Sequence, residues 1–154
     1  MKSKNQSDRI SIFIQALNPP NNAKIKKNSI QDIISNDEIP ESFREEIINA
    51  NNMINSIPTN KDELEECQNC LYQIGWEFYM GKNGSYANLN QDFNIAFYYL
   101  KYAASFGNND AIYCLASIYL LDNSNESSIL KGLKLLNIAA DLELIPALLH
   151  LAFI

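Results

Sequence analysis

Glycine and proline are scarce in this chain, and long apolar runs are missing. Five glycines and five prolines are spread over 154 residues, which excludes collagen-like and Pro/Gly-rich low-complexity sequences. No stretch approaches the ~20 apolar residues of a membrane span, and none of signal-peptide length follows the basic start before Asn18. We therefore expect a soluble, cytosolic protein that does not associate with membranes.

Cysteine occurs in an odd number that gives no disulfide framework. Without a secretory context, Cys67, Cys70 and Cys114 are expected to be reduced thiols. Cys67 and Cys70 form a C-x-x-C. Together with Cys114 and His150, they would supply the ligand types of a structural zinc site. That motif falls within a predicted helix, however, and Cys67 and Cys114 occupy apolar helical positions. Buried inert thiols are therefore favoured, and no metal or cofactor is predicted.

Catalytic signatures are also missing. The sequence has no phosphate-binding loop, no G-x-S-x-G and no H-E-x-x-H. His150, the single histidine, lies in an almost entirely apolar stretch without a nearby nucleophile or orienting carboxylate. We predict no catalytic residues and expect a protein that is not an enzyme.

Positive charge is scarce outside the N-terminal region, and the net charge is −6. Residues 1–27 carry six Lys or Arg against one acid, residues 28–77 carry two against eleven, and the remainder carries four against six. Phosphate recognition rests on clustered Lys and Arg, so this balance argues against nucleic acid as a partner. The acidic middle of the chain suits a cationic protein partner instead.

Helical periodicity dominates the sequence. Apolar residues recur at spacings of three and four over residues 10–17, 43–57 and 64–78, as in amphipathic helices. A further short helix is predicted from Ser29. The alternation in RISIFI, residues 9–14, would also suit a strand, but no segment alternates long enough to require a sheet. We therefore predict an all-α fold.

Several helix starts can be placed from their capping residues. Ser7 or Asp8 is a plausible N-cap for the first helix. Pro40 suits the first helical position of the helix that carries the apolar residues 43–57. Asn60 with Glu63 three residues later resembles a capping box.

Part of the sequence repeats with a period of 36 residues. Residues 92–111, DFNIAFYYLKYAASFGNNDA, return in degraded form. The matching pairs are Ala103 and Ala139, Ala104 and Ala140, Ala111 and Ala147, Leu115 and Leu151, and Ala116 and Ala152. A fixed period of this size is typical of stacked helical hairpins, each of which buries a face against the next.

The repeated motifs resemble Sel-1-like repeats, a subgroup of tetratricopeptide-like helical repeats. IGWEFYMG, residues 74–81, is similar to the family's L-G-x-x-Y-x-x-G segment. The family's D-x-x-K-A-x-x-W/Y-L-x-x-A-A-x-x-G pattern is matched by Asp92, Ala96, Tyr99, Leu100, Ala103, Ala104 and Gly107. The second copy is weaker, because the usual Asp, Ala and Gly are replaced by Ser128, Gly132 and Glu143.

The resemblance covers about residues 70–154 and implies an architecture. The expected fold is a right-handed α-solenoid of antiparallel helical hairpins over residues 59–154. Residues 1–58 would form an N-terminal helical extension or cap.

The resemblance also implies where a partner binds, because the first helix of each hairpin lines the concave surface in such proteins. Aromatic residues near that surface are candidate hot spots, and the segment KNGSYANLN forms a loop longer than the family norm. The predicted partner-binding residues are Tyr72, Gln73, Trp76, Glu77, Tyr86, Tyr113 and Ser117. Two alternatives stay open: aromatics at helical spacing often belong to the core, and the loop can be a tolerated surface insertion.

These features favour a protein–protein interaction module. The most concrete hypothesis is a cytosolic inhibitor, such as an immunity protein that neutralises a basic bacterial toxin. An adaptor or scaffold in a signalling or assembly pathway is the alternative, and a hydrolase is disfavoured. The apolar end ALLHLAFI, residues 147–154, can be buried against the body, buried in a homodimer or covered by a partner.

Overall fold

The computed structural model describes residues 4–20, 35, 39–122 and 125–153. These residues form seven α-helices and one short 3-10 turn, and no β-strand occurs among them. The helices are α1 (Lys4–Gln15), α2 (Glu41–Ile54), α3 (Lys61–Met80), α4 (Phe93–Ser105), α5 (Asn109–Leu121), α6 (Glu126–Asp141) and α7 (Ile145–Ala152). The all-α prediction is confirmed for this part of the chain.

The first helix extends further than its sequence signals indicate. The segment RISIFI lies inside α1, so the strand alternative for it is wrong. α1 also begins ahead of both predicted caps, Ser7 and Asp8. The helix predicted from Ser29 falls outside the described residues. Within the described ranges, no helix has the length and apolarity that crossing a membrane would require.

Capping chemistry sets the limits of α2 and α3. Pro40 is the N-cap residue of α2 rather than its first helical residue, and the helix ends early enough to leave Ile57 88% exposed. At the start of α3, Asn60 Oδ1 accepts a hydrogen bond from the Glu63 N–H at 2.9 Å. The Glu63 carboxylate in turn accepts from the N–H and hydroxyl of Thr59, each at 2.8 Å. The predicted capping arrangement is therefore present, except that the Glu63 carboxylate contacts Thr59 instead of the N-cap residue Asn60.

Consecutive helices from α2 to α7 pack on one another. At one end of the α3–α4 pair, the Asp92 N–H donates to the Phe78 carbonyl at 3.0 Å. At the other end, the Gln68 side-chain amide donates to the Phe106 carbonyl. The C-terminal end of α3 thus meets the start of α4 and its N-terminal half meets the end of α4, so the pair is antiparallel.

The α5–α6 pair is also antiparallel. Just after α5 ends, Asp122 Oδ2 accepts a hydrogen bond from the Ser128 hydroxyl in the first turn of α6, at 3.1 Å. Further along, the Gly132 backbone lies against Leu120 and the Ala116 carbonyl. A glycine at this crossing lets the two backbones approach closely.

The core runs between the successive helices and is almost entirely apolar. Its largest fully buried side chains are Tyr99, Tyr119, Phe43, Phe78, Ile14, Ile47, Leu71, Ile74, Leu100, Ile112, Leu115 and Ile118. They come from five helices and follow the spacings of three and four seen in the sequence. One continuous core therefore joins α1 and α2 to the repeated segment.

α1 lies across α4 instead of stacking beside α2. The Lys101 ammonium on α4 donates to the Leu17 carbonyl at 2.9 Å, and the Ser11 hydroxyl donates to the Ser105 carbonyl at 3.1 Å. On α6, Lys134 Nζ lies 4.1 Å from the centre of the Phe13 ring. α1 is therefore anchored to two helices of the repeated segment by polar and cation–π contacts.

Replacing Gly75 with alanine should destabilise the fold. A Cβ at this position would lie 2.7 Å from Leu100 Cγ and 3.1 Å from the Leu100 backbone nitrogen, and Leu100 is fully buried. We expect urea unfolding to show a loss of about 1–2 kcal/mol, because overpacking outweighs the gain in helix propensity. Asn137→Ala, at an exposed position on α6, is the matched control and should change the midpoint little. An unchanged midpoint for Gly75→Ala would contradict the close crossing.

Candidate functional site

Aromatic side chains of α3, α5 and α7 form one surface, which we call the aromatic face: Tyr72, Trp76, Tyr79, Tyr113 and His150. The three residues on α3 recur at i, i+4 and i+7, and so share one side of that helix. All five side chains are half-buried. Each is therefore supported from beneath by the core and open to solvent on its outer side.

Side-chain contacts join the three helices beneath this face. The Tyr72 hydroxyl lies close to the Cys114 thiol, and the Tyr79 hydroxyl lies close to the Ser117 side chain. The Tyr113 hydroxyl and His150 Nδ1 lie 3.3 Å apart, and their rings meet edge to face at 6.0 Å between centres.

These contacts repeat along the molecule. Cys114 and His150 are 36 positions apart, which is the sequence period. Tyr72 and Tyr113 precede the matched segments IGWEF and LASIY by the same two residues. The Tyr72–Cys114 and Tyr113–His150 contacts are therefore equivalent, one hairpin apart.

Burial suppresses ionisation of two hydroxyls on this face, those of Tyr72 and Tyr79. It raises the pKa of Tyr72 well above the ordinary value of 10.0, helped by the nearby Cys114 and the Asp110 carboxylate. The pKa of Tyr79 is raised by burial as well. At neutral pH these hydroxyls are neutral hydrogen-bonding groups.

The electrostatic setting of the aromatic face is acidic. α5 and α7 contain no Lys or Arg, and the only one in α3 is its first residue, Lys61. α3 carries four exposed acids in its first six residues, and α5 adds the exposed Asp110. Half-exposed aromatic rings beside carboxylates suit a cationic ligand, because both attract positive charge.

Five of the seven predicted binding residues lie on or beside the aromatic face. Tyr72, Trp76 and Tyr113 belong to it, Ser117 lies beneath it and Gln73 is exposed next to it. Ser117 also donates from its hydroxyl to the Tyr113 carbonyl at 3.1 Å. These five residues thus come together on the first helices of successive pairs.

Glu77 does not lie on a surface, contrary to the sequence prediction. Its side chain is only 2% exposed, and its Oε1 accepts a hydrogen bond from the Ser85 N–H at 2.9 Å. Gly84 makes room for it, since a Cβ there would lie 2.7 Å from the same oxygen. The carboxylate is enclosed because the long loop after α3 folds back over it.

Tyr86 is also placed differently from the prediction of an exposed loop tip. Its ring is half-buried and lies 4.5 Å, centre to centre, from the ring of Phe43 on α2. Leu89, in the same loop, is 4% exposed. The loop is therefore attached to α2 by apolar contacts, around a cavity of about 160 Å³ lined by Ile39, Pro40 and residues 85–89.

Tyr79 and His150 belong to the aromatic face but are absent from the residues predicted from sequence. Tyr79 follows Tyr72 by seven residues, so helical spacing offers a signal that could have found it. From sequence, His150 is a candidate only for catalysis or metal binding. Its place beside Tyr113 depends on the fold bringing α7 near α5, which local sequence does not specify.

The three cysteines are free thiols, and Cys114 lies next to Tyr72 of the aromatic face. Cys67 and Cys114 are buried, and Cys70 is half-buried. Burial raises the pKa of all three, that of Cys114 to about 12, and carboxylates near each thiol add to the effect. Within the described part of the chain, no three His, Cys, Asp or Glu side chains gather as metal ligands would.

No protein-family model, curated protein or solved structure matches this chain. The resemblance to Sel-1-like repeats therefore stays a prediction from the motifs.

Removing the Glu77 carboxylate should loosen the loop over residues 82–90. Glu77→Ala leaves the Ser85 N–H without its acceptor and opens a space under the loop, so we expect a loss of about 1–3 kcal/mol. Hydrogen exchange of the loop amides should accelerate relative to α5. Glu77→Gln keeps an acceptor oxygen and should restore most of the protection. Equal exchange in all three proteins would contradict this role.

Stability should fall as pH rises above about 9. The pKa of Cys114 is about 12 in the folded chain against an ordinary 9.0, and that of Tyr72 is raised above 10.0. The folded state therefore retains protons that the unfolded chain releases. The stability is fully present below the pKa values of the unfolded chain and is lost as the pH rises toward the pKa values of the folded state.

Urea unfolding at a series of alkaline pH values measures this decline. Cys114→Ala should reduce the part of the decline that begins near the ordinary thiol pKa of 9.0, leaving the share of Cys67 and Cys70. A midpoint that stays constant through that range would show that burial does not protect these groups.

Proposed function

We propose that the protein is a non-enzymatic protein–protein interaction module, built as an α-solenoid of Sel-1-like hairpins. The antiparallel pairs α3–α4 and α5–α6 support this, as do the equivalent Tyr72–Cys114 and Tyr113–His150 contacts one hairpin apart. In this proposal residues 59–154 form the solenoid and residues 1–58 its N-terminal extension or cap. α2 stacks on the solenoid and α1 braces it across α4.

The aromatic face is the proposed partner-binding surface, and it is the observation that carries the proposal. Protein interfaces are enriched in Tyr and Trp, which supply large contact areas with a polar group at one edge. Trp76 lies on α3 between Tyr72 and Tyr79, with rings of α5 and α7 beyond. Because the core supports each ring from beneath, little conformational entropy is lost when a partner covers the face.

The partner we favour is a basic protein domain, and the most concrete role is that of a cytoplasmic inhibitor, such as an immunity protein that neutralises a bacterial toxin. The supporting feature is charge: the three helices that form the face carry one Lys against five exposed acids. Opposite charge accelerates association and disfavours acidic competitors. An adaptor in a signalling or assembly pathway would use the same surface.

Truncating Trp76 should abolish partner capture. Affinity purification from its own cells at low salt should recover one basic protein with the wild-type chain, and at least about tenfold less with Trp76→Ala. Tyr98→Ala is the matched control, because Tyr98 is 38% exposed on α4, outside the proposed surface, and packs on Tyr99 and Tyr102. Thermal melting of both variants separates lost binding from lost folding.

The identity of the captured proteins distinguishes the two roles. One stoichiometric toxin-like protein favours the inhibitor, whereas several proteins of one pathway favour the adaptor. Recovery of no stable partner would count against both. Trp76 is the only tryptophan, so a change in its fluorescence on adding the purified partner tests whether the contact is made at this face.

A further inference from the structure

The outward side of α7 is a complete apolar stripe. Ile145, Leu148, Leu149, Ala152 and Phe153 follow the spacing i, i+3, i+4, i+7 and i+8, and all are exposed. The exposed fractions of the four large side chains are 67%, 47%, 57% and 88% in chain order. In a water-soluble helical protein such a stripe normally faces a neighbouring helix.

Two of these five positions are covered one repeat earlier. Moving back 36 residues from Leu148 and Ala152 leads to Ile112 and Ala116 on α5, which are 1% and 0% exposed. α6 packs there, with Gly132 against the Ala116 carbonyl. Leu148 and Ala152 thus occupy the positions that contact the following helix one repeat earlier, whereas Leu149 and Phe153 correspond to the half-buried Tyr113 and Ser117.

The preceding helix pair, α3 and α4, shows the same arrangement. IGWEF on α3 and LASIY on α5 are matched segments, so Gly75 corresponds to Ala116 and Ala152. Gly75 lies against Leu100 of α4. At two of the three equivalent positions the helix is therefore covered by an antiparallel helix, and an uncharged, apolar helical face suits the third.

α7 itself has that chemistry. Its sequence, IPALLHLA, contains no Asp, Glu, Lys or Arg. On the other described helices, large exposed apolar side chains do not form such a stripe; they are Ile12, Ile48, Tyr98, Leu121 and Leu130. The most suitable described surface to cover α7 is therefore another α7.

We propose that α7 is a homodimer interface, in which the stripes of two copies pack antiparallel across a two-fold axis near Leu148 and Leu149. Such an isologous contact covers both stripes at once. The two α7 helices bring no Asp, Glu, Lys or Arg of their own together, although each chain carries a net charge of −6. His150 lies on the other side of α7, against Tyr113, so the dimer leaves the aromatic face open and presents it twice.

Sedimentation velocity of the full chain across the micromolar range tests the interface. The 17.5-kDa chain should sediment as a dimer that dissociates on dilution, and Leu148→Glu or Leu149→Glu should weaken the dimer by on the order of a hundredfold. Leu130→Glu is the matched control, because Leu130 is 61% exposed on α6 outside the stripe, and it should leave the dimer unchanged. Circular dichroism shows whether each variant keeps its helices.

A cross-linking measurement provides a second test. With Leu149→Cys, mild oxidation should give a disulfide-linked dimer, because a two-fold axis brings the two introduced thiols together. Leu130→Cys, again the control, should give little. A wild-type chain that stays monomeric throughout the concentration range would overturn the proposal. A dimer that survives both Leu148→Glu and Leu149→Glu would overturn it equally, since another surface would then be responsible.

Discussion

The structure depends on close contact between antiparallel helices at positions where a side chain is small. Gly75 lies against Leu100, and Gly132 lies against Leu120 and the Ala116 carbonyl. A larger residue at either crossing would push the helices apart and open the core between them. α3 contacts α5, and α5 meets α7 through Tyr113 and His150. These contacts bring the rings of the aromatic face together.

The stacking shows why the same kind of side chain is both structural and available for binding. Tyr72, Tyr79 and Tyr113 use their hydroxyls to join neighbouring helices, while their rings remain half-open to solvent. Cys114 lies beside Tyr72 as a free thiol, and burial raises its pKa. A surface fixed in this way is preorganised, which lowers the entropic cost of covering it.

Regions outside the repeated segment contribute in different ways. α1 is anchored across α4 by Lys101 and touches α6 through Phe13, so it ties two helix pairs together. The loop after α3 turns inward instead of projecting, because Glu77 accepts its Ser85 N–H and the Tyr86 ring packs on Phe43. Both segments add to the core, and the aromatic face is left as the acidic, ring-rich side of the molecule.

Sequence alone determined the helical class, the capping of α3, the stripe of core residues and most of the aromatic face, because these depend on spacing along one helix. Tertiary structure decided the rest. Glu77 is adjacent in sequence to Trp76, yet a returning loop buries it and leaves Trp76 half-exposed. His150 joins Tyr113 only because the fold brings α7 near α5. Burial and partnership of this kind depend on elements distant in the chain, and no local period encodes them.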